Sequence, residues 1–218
     1  MKSLLLDVDG VLVRDKNLMN CVQTNCIRYV RAKLPECKDP AETNRMLYLS
    51  HGHTARGLHK VYGVDTSDFN KYVYDTDLLK QLAYFVSSDE FRNEVSVIQH
   101  LKNEGWKIKL FTNAPWVWAS RVANVLGPNI NIRCPGNPID SPLKPEPEAY
   151  LFSSEDVHVF VDDSLKNLGT VRNSKHWNPV YFSPDHKESN LWCPQVQSLH
   201  ELVEYLKLFS LDQINANA

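Results

Sequence analysis

The chain has 218 residues, a formal net charge of -2, 43% hydrophobic and 23% charged residues. That is enough for one large domain or a core with a smaller companion, at an ordinary globular balance. Near-neutral charge gives no general attraction for nucleic acid polymers or anionic membranes, so any phosphate affinity must come from a local site. The five cysteines (Cys21, Cys26, Cys37, Cys134, Cys193) are odd in number and form no Cys-x-x-Cys pair. This argues against zinc and a disulfide framework, and for a reduced, cytoplasmic setting. Met1-Lys2 leads into a leucine run too short for a signal peptide, and no stretch is long enough to span a bilayer.

Leu4-Leu5-Leu6 runs straight into Asp7-Val8-Asp9-Gly10. A short, continuously apolar run reads as a strand buried on both faces, with its polar residues at the carboxyl end. Alternation along a strand lets Asp7 and Asp9 share one side while Val8 turns inward. Two carboxylates so close repel, and a hard cation such as Mg2+ relieves that cost. From Leu18 to Tyr74 the pattern is helical without a clear strand. Cys21, Val22, Ile27, Val30 and Leu34 give one helix stopped by Pro35; Asp39-Pro40 starts a second with Met46, Leu47 and Leu49 on its apolar face. Thr54 to Tyr62 gives a third ended by Gly63, and the Asp65 to Asp68 stretch caps a fourth carrying Phe69, Tyr72 and Val73.

Near Phe91 the α/β pattern resumes. A helix is expected over Val95 to Gly105, then a strand Lys107 to Phe111 ending in Thr112-Asn113, and a helix Val117 to Leu126 stopped by Gly127-Pro128. A short strand at Asn131 to Cys134 precedes a proline-rich loop containing Lys144. Val157 to Val161 is another apolar run, leading into Asp162-Asp163-Ser164. A helix over Ser164 to Arg172, a strand Pro179 to Phe182, an amphipathic helix Leu199 to Phe209 and a polar tail Leu211 to Ala218 complete the chain. Strands alternating with helices predict a parallel sheet with right-handed crossovers, its terminal acids and hydroxyls gathered along one edge.

Asp7-Val8-Asp9-Gly10-Val11-Leu12 resembles motif I of the haloacid dehalogenase (HAD) superfamily of aspartate-nucleophile phosphatases. Thr112 resembles motif II; Lys144, in Leu143-Lys144-Pro145-Glu146-Pro147, resembles motif III; Asp162-Asp163 resembles motif IV. The motifs occur in order and span nearly the whole chain. The resemblance implies a Rossmann-like α/β core (1-14 and 88-218), a parallel sheet flanked by helices, and a small helical C1-type cap (15-87). It implies Asp7 as nucleophile and Asp9 as general acid/base, with Thr112, Asn113 and Lys144 on the transferring phosphoryl group. Mg2+ would be held by Asp7, Asp9, Asp162 and Asp163, with Asp163 direct and Asp162 through water. Two departures stand out: only Glu146 to Ser153 is left for a helix between motifs III and IV, and Val11 replaces a frequent threonine.

Within the cap, His51-Gly52-His53-Thr54-Ala55-Arg56-Gly57-Leu58, with the later Tyr62-Gly63, Tyr72 and Tyr74-Asp75, is similar to the pyrimidine 5'-nucleotidase branch. His51 stands where those relatives tend to carry an aromatic residue. The likeness makes His51, His53, Thr54 and Arg56 substrate-pocket candidates; the plainer alternative is that His53 and Thr54 simply begin a helix. Of Trp116 and Trp118, one is expected in the core, and the other is open between packing and stacking on a base. The expected activity is phosphomonoester hydrolysis, with a nucleoside 5'-monophosphate as substrate, in a monomer or small homo-oligomer. Sugar phosphates or phosphoglycolate, a dehalogenase, a phosphomutase, or a regulatory protein on the same scaffold are the alternatives. A dehalogenase needs neither magnesium nor a second acid, and nothing marks a bisphosphate site.

Overall fold

The computed structural model describes residues 2-152, 157-185 and 188-215. Six strands, β1 (Lys2–Leu6), β2 (Lys107–Phe111), β3 (Asn131–Arg133), β4 (Val157–Asp162), β5 (Trp177–Phe182) and β6 (Gln195–Val196), form one sheet in the order β3-β2-β1-β4-β5-β6. Every neighbouring pair is parallel. The order reverses between β1 and β4, and the crevice beyond the strand ends at such a reversal is where open α/β sheets bind ligands.

Nine helices accompany the sheet among the described residues: α1 (Lys16–Lys33), α2 (Pro40–His51), α3 (Thr54–Tyr62), α4 (Phe69–Val73), α5 (Thr76–Val86), α6 (Asp89–Asn103), α7 (Trp116–Leu126), α8 (Leu165–Gly169) and α9 (Leu199–Asn215). The first six follow one another with no intervening strand. Local chemistry sets their starts: Asp15, Asp39, Asp75 and Ser88 each accept from a backbone N–H in the first turn of the helix they precede.

Strand alternation divides the core. Leu4, Leu6, Ile108, Leu110, Val159 and Val161 face a large cluster with Leu82, Phe91, Ile98, Trp118 and Leu202 from the helices. Leu5, Phe111, Phe160 and Trp177 face a smaller, aromatic cluster with Tyr150 and Leu168. Both faces of β1 are therefore covered, which its unbroken leucine run requires.

Several elements depart from the sequence reading. Neither α5 nor β6 is among the elements expected from the sequence. The stretch from Glu146 forms only a 3-10 turn, Pro147–Tyr150; Ser153, its expected end, lies outside the described residues. The helix α9 continues to Asn215, so residues 211-215 are helical instead of a tail. No glycine or proline interrupts Ser210-Leu211-Asp212-Gln213-Ile214, so nothing stops the helix at Phe209. Residues 216-218 lie outside the described residues. Among the described residues no helix is long and apolar enough to cross a membrane.

Candidate active site

The acids stand at the reversal point of the sheet because β1 and β4 end there side by side. Leu6 pairs with Val161, and the next amide, Asp7 N–H, donates to Val161 O at 3.0 Å. Asp7 Oδ1 accepts from Val8 N at 2.7 Å, which fixes the carboxylate's orientation. Beyond it the chain turns on itself: Gly10 N donates to Val13 O, and Leu12 N and Val13 N both reach back to Val8 O. Gly10 is required here twice over. Its φ is +80°, and a Cβ would lie 2.0 Å from Asp163 Oδ2, so the motif I turn and the Asp163 carboxylate share one space.

Lys144 is the centre of charge. It is 2% exposed, and its Nζ lies 3.0 Å from Asp7 Oδ2, 2.6 Å from Asp162 Oδ2 and 2.7 Å from Phe111 O. The three donors of the ammonium thus have three acceptors. Burial alone would lower its pKa, but Asp162 and Asp7 outweigh that and hold it above the ordinary value. The loop that carries Lys144 is clamped by Asn113, whose Nδ2 donates to Lys144 O at 2.9 Å while its Oδ1 accepts from Lys144 N at 2.9 Å. Both ends of that amide are therefore engaged on the Lys144 backbone. The Thr112 hydroxyl accepts from Ala114 N at 3.1 Å, and its one proton is left to donate.

Asp162 has no exposure, and its carboxylate is fully bonded, to Lys144, to Ser164 N at 2.8 Å and to Asn167 Nδ2 at 3.0 Å. Asp163 beside it is exposed. Asp7, Asp162 and Asp163 can each offer an oxygen within 4.8 Å of the others. Asp9 is not part of that carboxylate cluster; its Oδ1 accepts from Trp118 Nε1 at 2.8 Å. Burial raises the pKa of Asp7 well above the usual carboxylate range and pushes Asp9 up to about 6 against the Trp118 bond and the Lys144 charge; crowding by surrounding protein and then the Asp162 charge push Asp163 up to about 6, although part of its side chain reaches the surface. Four acids share one lysine here, a site short of positive charge.

The cap candidates fall in three settings. His53 is the N-cap of α3, its Nδ1 accepting from Ala55 N at 3.2 Å, and Thr54 Oγ1 donates to Asn44 Oδ1 at 2.8 Å. Both occupy the positions that a plain helix start requires. Arg56 is buried, with Nε on Pro138 O at 2.8 Å, Nη2 on Ser141 O at 2.5 Å, and Nη1 on the Glu146 carboxylate. His51 is partly buried at the last position of α2.

Sequence reasoning missed two features. Tyr48 is 58% exposed on α2, yet crowding by surrounding protein and then the charges of Asp7, Asp163 and Asp162 raise its phenol. Its position one turn before His51 was the available signal. The second is the Trp118 N–H: the ring is fully buried against Tyr74, at 5.4 Å between centroids, and serves as core while its polar end holds Asp9. Trp116 is 60% exposed.

The parallel strand order, with acids at the reversal point and a helical run after β1, is the fold of the HAD superfamily. Solved structures agree. The chain is similar to a HAD phosphatase from Thermococcus onnurineus, at 18% identity and a TM-score of 0.63 over 94% of this chain and 98% of that one. YfnB from Bacillus subtilis, solved bound to magnesium, superposes with a TM-score of 0.53 at 17% identity, over 94% of this chain and 98% of that one. The L-2-haloacid dehalogenase RSc1362 does so at 0.55 and 11% identity, over 95% and 99%. No protein-family model matches the chain, and no curated protein does.

Proposed function

We propose that this chain is a Mg2+-dependent phosphatase of small phosphomonoesters that works through an aspartyl-phosphate on Asp7. One observation carries the reading: the Asp7 carboxylate lies 3.0 Å from the buried Lys144 ammonium and can bring an oxygen within 4.8 Å of oxygens of Asp162 and Asp163. A nucleophilic carboxylate needs nearby positive charge to approach a phosphoryl group, and the lysine supplies one side of it.

The donor set fits magnesium. Asp7 and Asp163, supported by Asp162, present only hard oxygen ligands, and their shared negative charge exceeds what Lys144 neutralises. When bound, Mg2+ would supply positive charge against the phosphoryl oxygens and the Asp7 carboxylate. The protein side chains do the remainder. An Asp7 oxygen attacks phosphorus as the bond to the leaving oxygen breaks, and Asp9 gives that oxygen its proton. Asp9, now a carboxylate, takes a proton from water; the water oxygen attacks phosphorus and releases Asp7 and inorganic phosphate. The Trp118 N–H orients Asp9 for both transfers. The Thr112 hydroxyl donates to the phosphoryl oxygens, the Lys144 ammonium sets its positive charge against them and Asp7 together, and Asn113 holds Lys144 for the task.

Residues 15-87 would serve as a cap over a core of 1-14 and 88-218, and the preferred substrate would be a nucleoside 5'-monophosphate. Support comes from the likeness of the cap segment to nucleotidases and from two exposed rings, Tyr48 near the acids and Trp116 close after Thr112. In this reading His51 and Tyr48 meet the nucleoside, and His53, Thr54 and Arg56 act on it through the shape of α3.

The test is hydrolysis of p-nitrophenyl phosphate with and without Mg2+, followed by nucleoside monophosphates, sugar phosphates, phosphoglycolate and 2-chloropropionate. Magnesium-dependent release of phosphate, fastest from a nucleotide, is the expected result. A sugar phosphate as best substrate would overturn the nucleotide assignment alone. Magnesium-independent chloride release would overturn the phosphatase assignment.

A further inference from the structure

We propose that Arg56 is a positioning residue for Lys144, and that the tie between α3 and the Lys144 loop makes the placement of the ammonium depend on the docking of the helical segment. The inference rests on the phosphatase reading above and adds a coupling to it. The three nitrogens of the guanidinium all bond to one loop: Nε to Pro138 O at 2.8 Å, Nη2 to Ser141 O at 2.5 Å, Nη1 to the Glu146 carboxylate. These partners bracket Lys144 in sequence. The other oxygen of Glu146 accepts from Leu143 N at 2.9 Å, the residue before Lys144. The path from α3 to the lysine is thus Arg56, Glu146, Leu143, each step a direct bond.

The geometry gives this tie its force. Arg56 is 4% exposed, and a buried guanidinium is tolerated only with its acceptors in place. If α3 moves off the loop, the charge loses its carboxylate and two carbonyls together. The carbonyls in turn lose the planar fork that held Pro138 and Ser141, an arrangement a lysine cannot reproduce. Gly52, at the end of α2, approaches the same peptide: a Cβ built on it would lie 3.9 Å from Lys144 O. On the opposite side Asn113 holds Lys144 from the end of β2. The lysine loop is therefore held between the core sheet and the helical segment. With all three of its nitrogens bonded to the loop, the guanidinium acts on the site through Lys144.

The test uses Arg56→Ala, Arg56→Lys, Glu146→Gln and the Arg56→Ala/Glu146→Gln double variant of the full chain. Turnover of p-nitrophenyl phosphate is read beside hydrogen–deuterium exchange over residues 138-146. Displacing a reacting group by about an ångström costs up to about 100-fold, so Arg56→Ala should lower kcat about 10- to 100-fold with KM changed less than about threefold. Exchange in 138-146 should rise, and Arg56→Lys should restore part of both. The double variant should lose no more than Arg56→Ala, because both changes cut one path. Unchanged kcat in folded Arg56→Ala, a loss confined to KM, or additive losses would overturn the proposal. If Arg56→Ala does not fold, the kcat and exchange of Arg56→Lys and Glu146→Gln decide in the same sense. If the wild-type chain hydrolyses no phosphomonoester, the phosphatase reading fails, and unchanged exchange in the variants would separately refute the tie.

Discussion

At the scale of single residues, the site is defined by what each acid touches. Asp7 faces Lys144, Asp9 holds the Trp118 N–H, Asp162 is fully bonded, and Asp163 packs on Gly10. Asp7→Asn keeps the shape and removes the proposed nucleophile, so turnover should fall to background, by at least about 1,000-fold, with the thermal midpoint retained; near-wild-type kcat in the folded variant would refute the role. Gly10→Ala forces a left-handed backbone on a side chain and drives a methyl into the Asp163 carboxylate. It should cost about 1–2 kcal/mol in urea unfolding from the backbone alone, and it should weaken Mg2+ activation. The identities of these acids were legible because each follows an apolar strand. What each side chain bonds to was not: the double grip of Asn113 on Lys144 joins residues distant in the chain, and no spacing announces it.

At the scale of elements, the helices after β1 show how local chemistry and tertiary ties divide the work. His53 caps α3 through an unprotonated Nδ1, and burial followed by the Arg56 charge holds its pKa down at about 4 against the ordinary 6.5. Below pH 6.5 the unfolded chain takes up a proton that the native ring refuses. Stability should therefore fall as pH drops from about 6.5 to about 4 and level off below, with about 2 kcal/mol lost between pH 7 and pH 5 from this group. His53→Asn keeps a good cap without a titrating ring. Urea unfolding of the variant at both pH values should show a correspondingly smaller drop; an unchanged drop would place the acid sensitivity elsewhere. The starts of α2 and α3, at Asp39-Pro40 and at Thr54, could be read from the chain. The helix α5 could have been, since Asp75 caps it and Leu78, Leu82 and Val86 repeat at helical spacing. The two-residue strand β6 could not, because a stretch that short carries no periodicity. Arg56 shows the further limit: its residue type suggests an anion site, and only the folded loop reveals that its acceptors belong to the protein.

At the scale of the whole molecule, the sheet order is what makes a site of scattered acids. Adjacent parallel strands β1 and β4 end at the same level, β2 brings Thr112 and Asn113 to that edge, and the loop after β3 returns Lys144 to it. Alternating strands and helices made this architecture legible, since right-handed crossovers leave few other ways to close a parallel sheet. The gathered negative charge predicts a response to metal. At a Mg2+ concentration about 100 times its dissociation constant, native-state binding should add about 2.7 kcal/mol, raising the thermal midpoint; chelation should reverse it, and an unchanged midpoint would speak against a metal site. Passage of the phosphoryl group through Asp7, as proposed, can be tested by trapping. Enzyme mixed with p-nitrophenyl phosphate and Mg2+, quenched in acid and reduced with borohydride, should yield homoserine at position 7 when its peptides are sequenced by mass spectrometry, because borohydride reduces an acyl phosphate and leaves a free carboxylate intact. An enzyme that turns over steadily yet shows no reduction at Asp7, or shows it at Asp9 or Asp163 instead, would contradict the aspartyl-phosphate route.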